Sequence, residues 1–325
     1  MSAHAVSIMP RAVVFAYHNV GVRCLRVLLA HGIDVALVVT HADSPSETIW
    51  FDSVGATARE CGIDTIAPET PNTPEVLARI EALAPDFLFS FYYRSMLAAP
   101  LLAVARQGAF NMHGSLLPRY RGRAPVNWAV LNGEHETGAT LHAMTAKPDD
   151  GDIVAQTRVP ILPDDTAREV FDKVTVAAEI TLDGVLPALI AGTAPRRPQD
   201  LPSASYFGGR RPEDGIIDWQ RDALSIHNLV RAVAPPYPGA RTILAGIPGR
   251  VLRTRMLDRA APPTSTPAVE SLSGRLLARC GGGGTLAVLS LELAGVPCDA
   301  AAFIARFGAA PVPLDPSAAD SPGHV

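Results

Sequence analysis

Short apolar runs alternate with helix-patterned stretches through the first half of the chain, and this alternation constrains the fold more than any other feature. Residues 12–17 (Ala-Val-Val-Phe-Ala-Tyr), 35–39 and 87–91 read as buried strands. Between the first two, Val22, Leu25, Leu28 and Leu29 recur at helical spacing and stop at Gly32. Thr73 and Pro74 suit an N-cap and a first-turn position, and the helix they open carries Val76, Leu77, Ile80 and Leu83. Strand, helix and strand in repetition predict an α/β domain of Rossmann-like type, with a mostly parallel sheet covered by helices. Residues 109–113, 140–145 and 153–159 continue the strand pattern, and 124–131 suits a helix. Thr166 and Glu169 have capping-box spacing. The long helix behind them places Val170, Phe171, Val174, Ala178, Leu182, Val185 and Leu189 on its inner side, with Gly192 as its stop.

The texture then changes. Residues 193–204 are rich in Pro, Arg and Ser and read as a linker. After a helical stretch at 222–233, short β-like runs continue to about 312, with a turn at Gly281–Gly284 and a last helix at 299–307. A chain of 325 residues exceeds the usual single core of about 100–200 residues. The expected organisation is a flexible N-terminus at 1–10, a catalytic domain at 11–200, a small β-rich, barrel-like domain at 201–312 and a disordered tail at 313–325.

Charge and cysteine usage exclude several classes. At 48 % apolar and 18 % charged residues the chain can build packed cores. A net charge of −4 disfavours a partner of long nucleic acid, whose phosphates call for a basic excess. Cys24, Cys61, Cys280 and Cys298 lie far apart with no C-x-x-C spacing, so neither a zinc site nor a disulfide framework is expected. The first ten residues lack a basic n-region and a long apolar run, and no stretch is long enough to span a bilayer. A cytoplasmic protein without membrane insertion, acting on small molecules without a metal, is the expectation.

The chemistry concentrates in Phe110–Pro125, Phe-Asn-Met-His-Gly-Ser-Leu-Leu-Pro-Arg-Tyr-Arg-Gly-Arg-Ala-Pro. Asn111 and His113 stand two apart at the end of a predicted strand, so an amide and an imidazole point to one side. They do so at the carboxyl end of a parallel sheet, where open α/β folds bind ligands. The turn Pro148-Asp149-Asp150-Gly151 would bring a carboxylate to the same edge. Asn, His and Asp together make an acyl-transfer site that needs no metal. Singly, each also has a structural reading: a His at a strand end is commonly structural, and an Asp-Asp-Gly turn commonly only a turn. Gly21 belongs to no G-x-G-x-x-G fingerprint, so a dinucleotide is not indicated.

Asn111-Met112-His113-Gly114-Ser115-Leu116-Leu117-Pro118, with Arg121-Gly122 and Asp149-x-Gly151, resembles the 10-formyltetrahydrofolate-dependent formyltransferase family. Phe15–His18, Phe89–Arg94, Arg121–Trp128, Phe207–Pro212 and Arg231–Val233 resemble most the branch acting on UDP-4-amino-4-deoxy-L-arabinose in lipid A modification and polymyxin resistance. The resemblance spans residues 11 to 310. It implies that Asn111 steadies the oxyanion, His113 handles the proton and Asp149 tunes the His. It also implies that 10-formyltetrahydrofolate lies against Ser95, Met96 and Leu97 and against Thr145, Ala146, Lys147, Pro148 and Asp149, with Arg123 at a further ligand position.

Three acceptor readings compete: a nucleotide amino sugar (the arabinose derivative or another), methionyl-tRNA, and folate binding without turnover. Residues 41–53 are acidic to neutral where the tRNA enzymes resemble a longer basic loop, and the Val126-Asn127-Trp128 pattern matches the sugar branch. Both favour the sugar. For it, Arg210 and Arg211 are candidates for the diphosphate, since guanidinium forks suit phosphate oxygens, and Tyr92 and Tyr93 are candidates to line the site. The alternatives are two solubilising arginines and two packing aromatics. Members of that branch often carry a decarboxylase domain for which this chain has no room, so a separate decarboxylase would prepare the sugar.

Overall fold

The computed structural model describes residues 9–44 and 47–314. In chain order its elements are β1 (Arg11–Ala16), α1 (His18–Ala30), β2 (Asp34–Val39), α2 (Val54–Glu60), β3 (Thr65–Ile66), α3 (Pro74–Leu83), β4 (Phe87–Phe91), α4 (Ala99–Ala103), β5 (Gly108–His113), β6 (Arg121–Gly122), α5 (Pro125–Leu131), β7 (Glu136–Ala143), β8 (Ile153–Pro160), α6 (Ala167–Ile190) and β9 (Tyr206–Phe207). Next come α7 (Ala223–Ala232), β10 (Ala240–Leu244), β11 (Ile247–Asp258), β12 (Ala268–Leu272), β13 (Arg275–Arg279), β14 (Thr285–Leu293), β15 (Val296–Pro297), α8 (Ala300–Phe307) and β16 (Val312–Pro313).

The described residues form two units. The first holds those up to Pro125 together with Glu136–Pro160 and Asp172–Phe207; the second holds Val126–His135, Ile161–Phe171 and those from Gly208 onward. In the first, a seven-stranded sheet runs β3-β2-β1-β4-β5-β7-β8. The strands from β3 to β5 are parallel, and β7 and β8 are antiparallel, so the sheet is mostly parallel as the alternation predicts. Every residue of β4 is buried, which explains why its sequence is a continuous apolar run and does not alternate. Val13, Phe15, Leu37, Ile80, Leu88 and Leu97 share one core on this sheet. The predicted helix signals hold: Thr73 Oγ1 accepts from the Val76 N–H at 3.3 Å, and Thr166 and Glu169 bond reciprocally. The strand order reverses direction between β1 and β4, which leaves a crevice outside their carboxyl ends.

The second unit is an antiparallel, curled sheet in the order β10-β11-β14-β13-β12-β16, with β15 beside β14. A bridge between Leu244 and Leu314 joins β10 to the residue after β16, bringing the two sheet edges together. Trp219, Val251, Leu286, Phe303 and Leu314 are buried in its core, and the Trp219 indole N–H donates to Thr242 Oγ1 at 2.8 Å. Two short segments from earlier in the chain join this unit through α7. The Asn127 amide donates to Ala232 O at 2.9 Å, His227 Nε2 donates to Pro163 O at 3.0 Å, and Arg231 donates to Asp165 O at 3.1 Å. A boundary near residue 200, drawn from composition, does not register these segments. Order extends past 312, because Val312 and Pro313 pair with β12; residues 315–325 of the expected tail and 1–8 of the expected N-terminus lie outside the described residues.

Leu314 is 3 % exposed and closes the sheet. Leu314→Ala is expected to cost the second unit about 2–4 kcal/mol, seen as a lowered transition in differential scanning calorimetry; an unchanged transition would show that the closure is incidental.

Candidate active site

Asn111 and His113 lie on β5, on the same side, as the i, i+2 rule requires. The neighbouring strand β7 sets His142 opposite Asn111 and Thr140 opposite His113. The loop between β7 and β8 then folds back and delivers Asp149. Its Oδ1 lies 3.4 Å from His113 Nδ1, 3.4 Å from His142 Nε2 and 3.5 Å from Asn111 Nδ2. Its Oδ2 accepts the Gly122 N–H at 2.8 Å. Burial alone would raise this carboxyl's pKa. The charge of His113, a hydrogen bond from His142 and the Gly122 N–H outweigh burial and hold it well below the usual carboxylate range.

The hydrogen bonds fix the ring nitrogens. Carbonyl oxygens only accept, so His113 Nε2 donates to Tyr120 O at 2.7 Å, and Nδ1 is the nitrogen that faces Asp149. His142 Nδ1 donates to Ala143 O at 2.8 Å. In the neutral ring Nε2 then takes the Asn111 amide hydrogen at 3.1 Å; in the charged ring it donates to Asp149 instead.

The backbone around these side chains is strained. His18, Tyr92, Tyr120, Ala124 and Asp149 hold left-handed φ of 68°, 58°, 59°, 50° and 53°, although none is glycine. All five lie in segments that leave the strand ends of the first unit. Such residues cost roughly 1–3 kcal/mol each and collect at functional sites. Two glycines permit the close approaches. A Cβ on Gly151 would stand 2.0 Å from Ala143 O, which accounts for the Asp-x-Gly spacing, and one on Gly114 would stand 1.8 Å from the Tyr92 hydroxyl.

The other residues singled out in the sequence are spread over both units. Ser95 is partly buried, Met96 is 51 % exposed and Leu97 is a core residue. Thr145, Ala146, Lys147 and Pro148 are exposed in a loop that Thr145 Oγ1 braces through Lys147. Leu97 and Met144 pack on the same core, so the 95–97 and 145–149 segments border one region. Arg123 is exposed, with its N–H donating to Phe207 O. The Tyr92 hydroxyl is buried over Gly114. Tyr93 stacks on His41 at 4.1 Å and meets Phe15 edge-on, and burial pushes its hydroxyl up to about 12. Arg210 and Arg211 are in the second unit: the Arg210 guanidinium lies over Trp128 and donates to Asp214 O, while Arg211 is exposed.

Sequence reasoning omits His142, Asn72 and Gln199. Asn72 brackets the 96–98 segment, donating to Met96 O and accepting from the Ala98 N–H, both at 2.8 Å. The signal for His142 is a lone imidazole between Leu141 and Ala143 in a strand; only the antiparallel register puts it against Asn111. Among the described residues no group of three or more His, Cys, Asp or Glu is placed to hold a metal ion, and no helix is long and apolar enough to cross a membrane.

Residues 18–186 match the formyl transferase family profile, and residues 210–308 match the formyl transferase C-terminal domain. The chain belongs to the formyl transferase family and is an enzyme of that class. Its fold is similar to that of an N-formyltransferase from Helicobacter canadensis solved with folinic acid and dTDP-3-aminofucose (TM-score 0.67, 20 % identity, 86 % of this chain and 99 % of the other). It is similar as well to WlaRD, a sugar 3N-formyl transferase solved with dTDP and 5-N-formyl-THF (TM-score 0.68, 19 %, 88 % and 98 %). Glycinamide ribonucleotide transformylase 1 from Symbiobacterium toebii is similar over less of the chain (TM-score 0.51, 22 %, 59 % and 93 %). At these identities the likeness is one of fold.

Because the folded-state pKa of Asp149 is depressed, its contribution to stability is full above the ordinary carboxylate pKa and is lost as pH falls below it. Asp149→Asn is therefore expected to lower stability most at neutral pH and progressively less in acid, read from urea midpoints across pH 2.5–7.5 (roughly the carboxylate range and above). A gap independent of pH would show that the charge is unpaired.

Proposed function

We propose that this enzyme transfers the formyl group of 10-formyltetrahydrofolate to the primary amine of a nucleotide-linked amino sugar. The observation that carries it is the convergence of Asn111, His113 and Asp149 at one strand edge in a chain of the formyl transferase family. The side chains suit the chemistry. Attack by a neutral amine bonds nitrogen to the formyl carbon and makes a tetrahedral centre with a negative oxygen. The Asn111 amide can donate to that oxygen. The amine nitrogen then loses a proton, the folate nitrogen N10 gains one, and the bond from N10 to carbon breaks. His113 Nδ1, which faces Asp149 while Nε2 keeps its hydrogen on Tyr120 O, would take the proton from the amine nitrogen and pass it to N10. The folate would lie along Ser95, Met96 and Leu97 and along Thr145–Asp149, two segments that border one region and present exposed groups.

The fold neighbours solved with dTDP-3-aminofucose and with dTDP support a sugar acceptor. Charge in the second unit supports it too. Exposed Arg250, Arg253, Arg255 and Arg279 on β11 and β13 each face an acid: Glu292, Glu169, Asp164 and Glu270. Such pairing reduces the free cationic surface that a tRNA would need. Within the sugar class, the sequence resemblance favours UDP-4-amino-4-deoxy-L-arabinose, with Tyr92, Tyr93, Arg210 and Arg211 as its candidate contacts.

His113→Ala and Asn111→Ala are each expected to lower kcat about 100- to 1,000-fold with the fold retained; near-normal turnover in either would remove that residue from the mechanism. Offered UDP-4-amino-4-deoxy-L-arabinose, dTDP-3-aminofucose or charged initiator tRNA with the formyl donor, the enzyme is expected to give formylated sugar nucleotide by mass spectrometry. Product from the tRNA alone would overturn the acceptor assignment.

A further inference from the structure

The stretch 193–204 has the composition of a linker, yet the chain from Arg197 onward is tied down at intervals. Arg197 exchanges backbone hydrogen bonds with Ile153 in both directions, at 2.8 and 2.9 Å. Ser205 accepts the Tyr120 N–H on its hydroxyl and the Arg121 N–H on its carbonyl, both at 2.9 Å. Arg121 and Gly122 then pair in parallel with Tyr206 and Phe207, and the Tyr120 ring stacks on Phe207 at 5.0 Å. Residues 197–207 thus form a strap across the loop after β5.

Gln199 lies near the start of that strap, and its amide is fully used. Nε2 donates to Asp149 O at 2.8 Å and to Gly151 O at 2.7 Å. Oε1 accepts from Arg121 Nε at 3.1 Å and from its terminal nitrogen at 2.8 Å. The other terminal nitrogen of Arg121 donates to Asp150 Oδ1 at 2.8 Å. Two donors and two acceptors exhaust what the amide offers. They join two pieces of chain: the turn that carries Asp149 and the loop that carries Gly122. Those are the pieces whose approach makes the contact between Asp149 Oδ2 and the Gly122 N–H. Asp149 keeps a left-handed φ only while its surroundings over-determine it, and Gln199 grips the carbonyls of Asp149 and Gly151.

We propose that Gln199 is a positioning residue for formyl transfer, which registers the 149–151 turn against Arg121 and thereby sets the Asp149 carboxylate on Gly122, His113 and Asn111. The proposal rests on the formyl-transfer reading above. Gln199 touches no reacting atom; it acts through the placement of Asp149. A misplacement of about 1 Å at such a site is worth about 100-fold in rate, so its removal affects turnover more than binding.

Two variants separate its functions. Gln199→Ala removes both halves of the clamp. Gln199→Glu keeps an acceptor for Arg121 but sets carboxylate oxygens against the carbonyls of Asp149 and Gly151. Both are expected to lower kcat for formyl transfer about 10- to 100-fold, with KM for donor and acceptor changed less than about threefold. Hydrogen exchange of the Gly122 amide is expected to accelerate at least about tenfold while the β5 amides keep their protection. Wild-type kcat with wild-type Gly122 exchange in both variants would overturn the proposal, as would a change confined to KM. Loss of β5 protection along with Gly122 would also overturn it, making Gln199 a general stability residue. The exchange result stands even if the wild-type enzyme formylates no sugar nucleotide, in which case the acceptor reading fails separately.

Discussion

The Asp149 carboxylate is the contact on which the site depends. Its two oxygens meet Asn111 and His113 on β5, His142 on β7 and the Gly122 N–H in the loop after β5, while its own segment is a left-handed turn. A buried carboxylate is costly unless its lone pairs are met. Here charge and N–H donors outweigh burial, and the group stays ionised. That negative charge lies 3.4 Å from His113 Nδ1, the nitrogen through which a proton would pass, and beside the Asn111 amide, the kind of donor a tetrahedral oxyanion calls for. The left-handed φ at Asp149, the close approach that Gly151 permits and the bonds of Gln199 to the Asp149 and Gly151 carbonyls all bear on this one group.

Several of the fragments that carry the sequence resemblance meet one another in the second unit. Asn127 donates to Ala232 O, the Trp128 indole N–H donates to Gly208 O, and the Arg210 guanidinium lies over Trp128. Val126-Asn127-Trp128, Phe207–Pro212 and Arg231–Val233 are therefore parts of one packing arrangement. Their joint occurrence in a sequence has a structural cause, and it speaks for common architecture before it speaks for a common substrate. At the ends of β1 and β4, His18 stacks on Phe51 and meets Trp50, and Tyr92 lies beside His18.

Local signals in the sequence suffice for the strands of the parallel sheet, for the Thr73 and Thr166 caps and for the shared side of Asn111 and His113. Each depends on spacing within a few residues. Contacts set by distant pairing are not legible. His142 reaches Asn111 only through the antiparallel register of β5 and β7, and nothing in Thr-Leu-His-Ala announces that partner. Gln199 sits in a segment whose Pro and Arg content reads as linker, although its bonds reach Arg121, Asp149 and Gly151. Pro313 and Leu314 likewise read as tail because closure of the curled sheet is a long-range property. The turn at Asp149 lies between these cases. Asp-x-Gly is visible as a turn, but the reason for the glycine, a carbonyl 2.0 Å from where a Cβ would stand, is not.

The most direct test of the central claim is a crystal structure of the protein with folinic acid. The formyl-bearing end of the ligand is predicted to lie beside Asn111 and His113, with a ligand oxygen within about 3 Å of Asn111 Nδ2 and the Asp149 carboxylate still on the Gly122 N–H. Folinic acid bound elsewhere on the chain, or bound here with Asp149 turned away from His113, would contradict it.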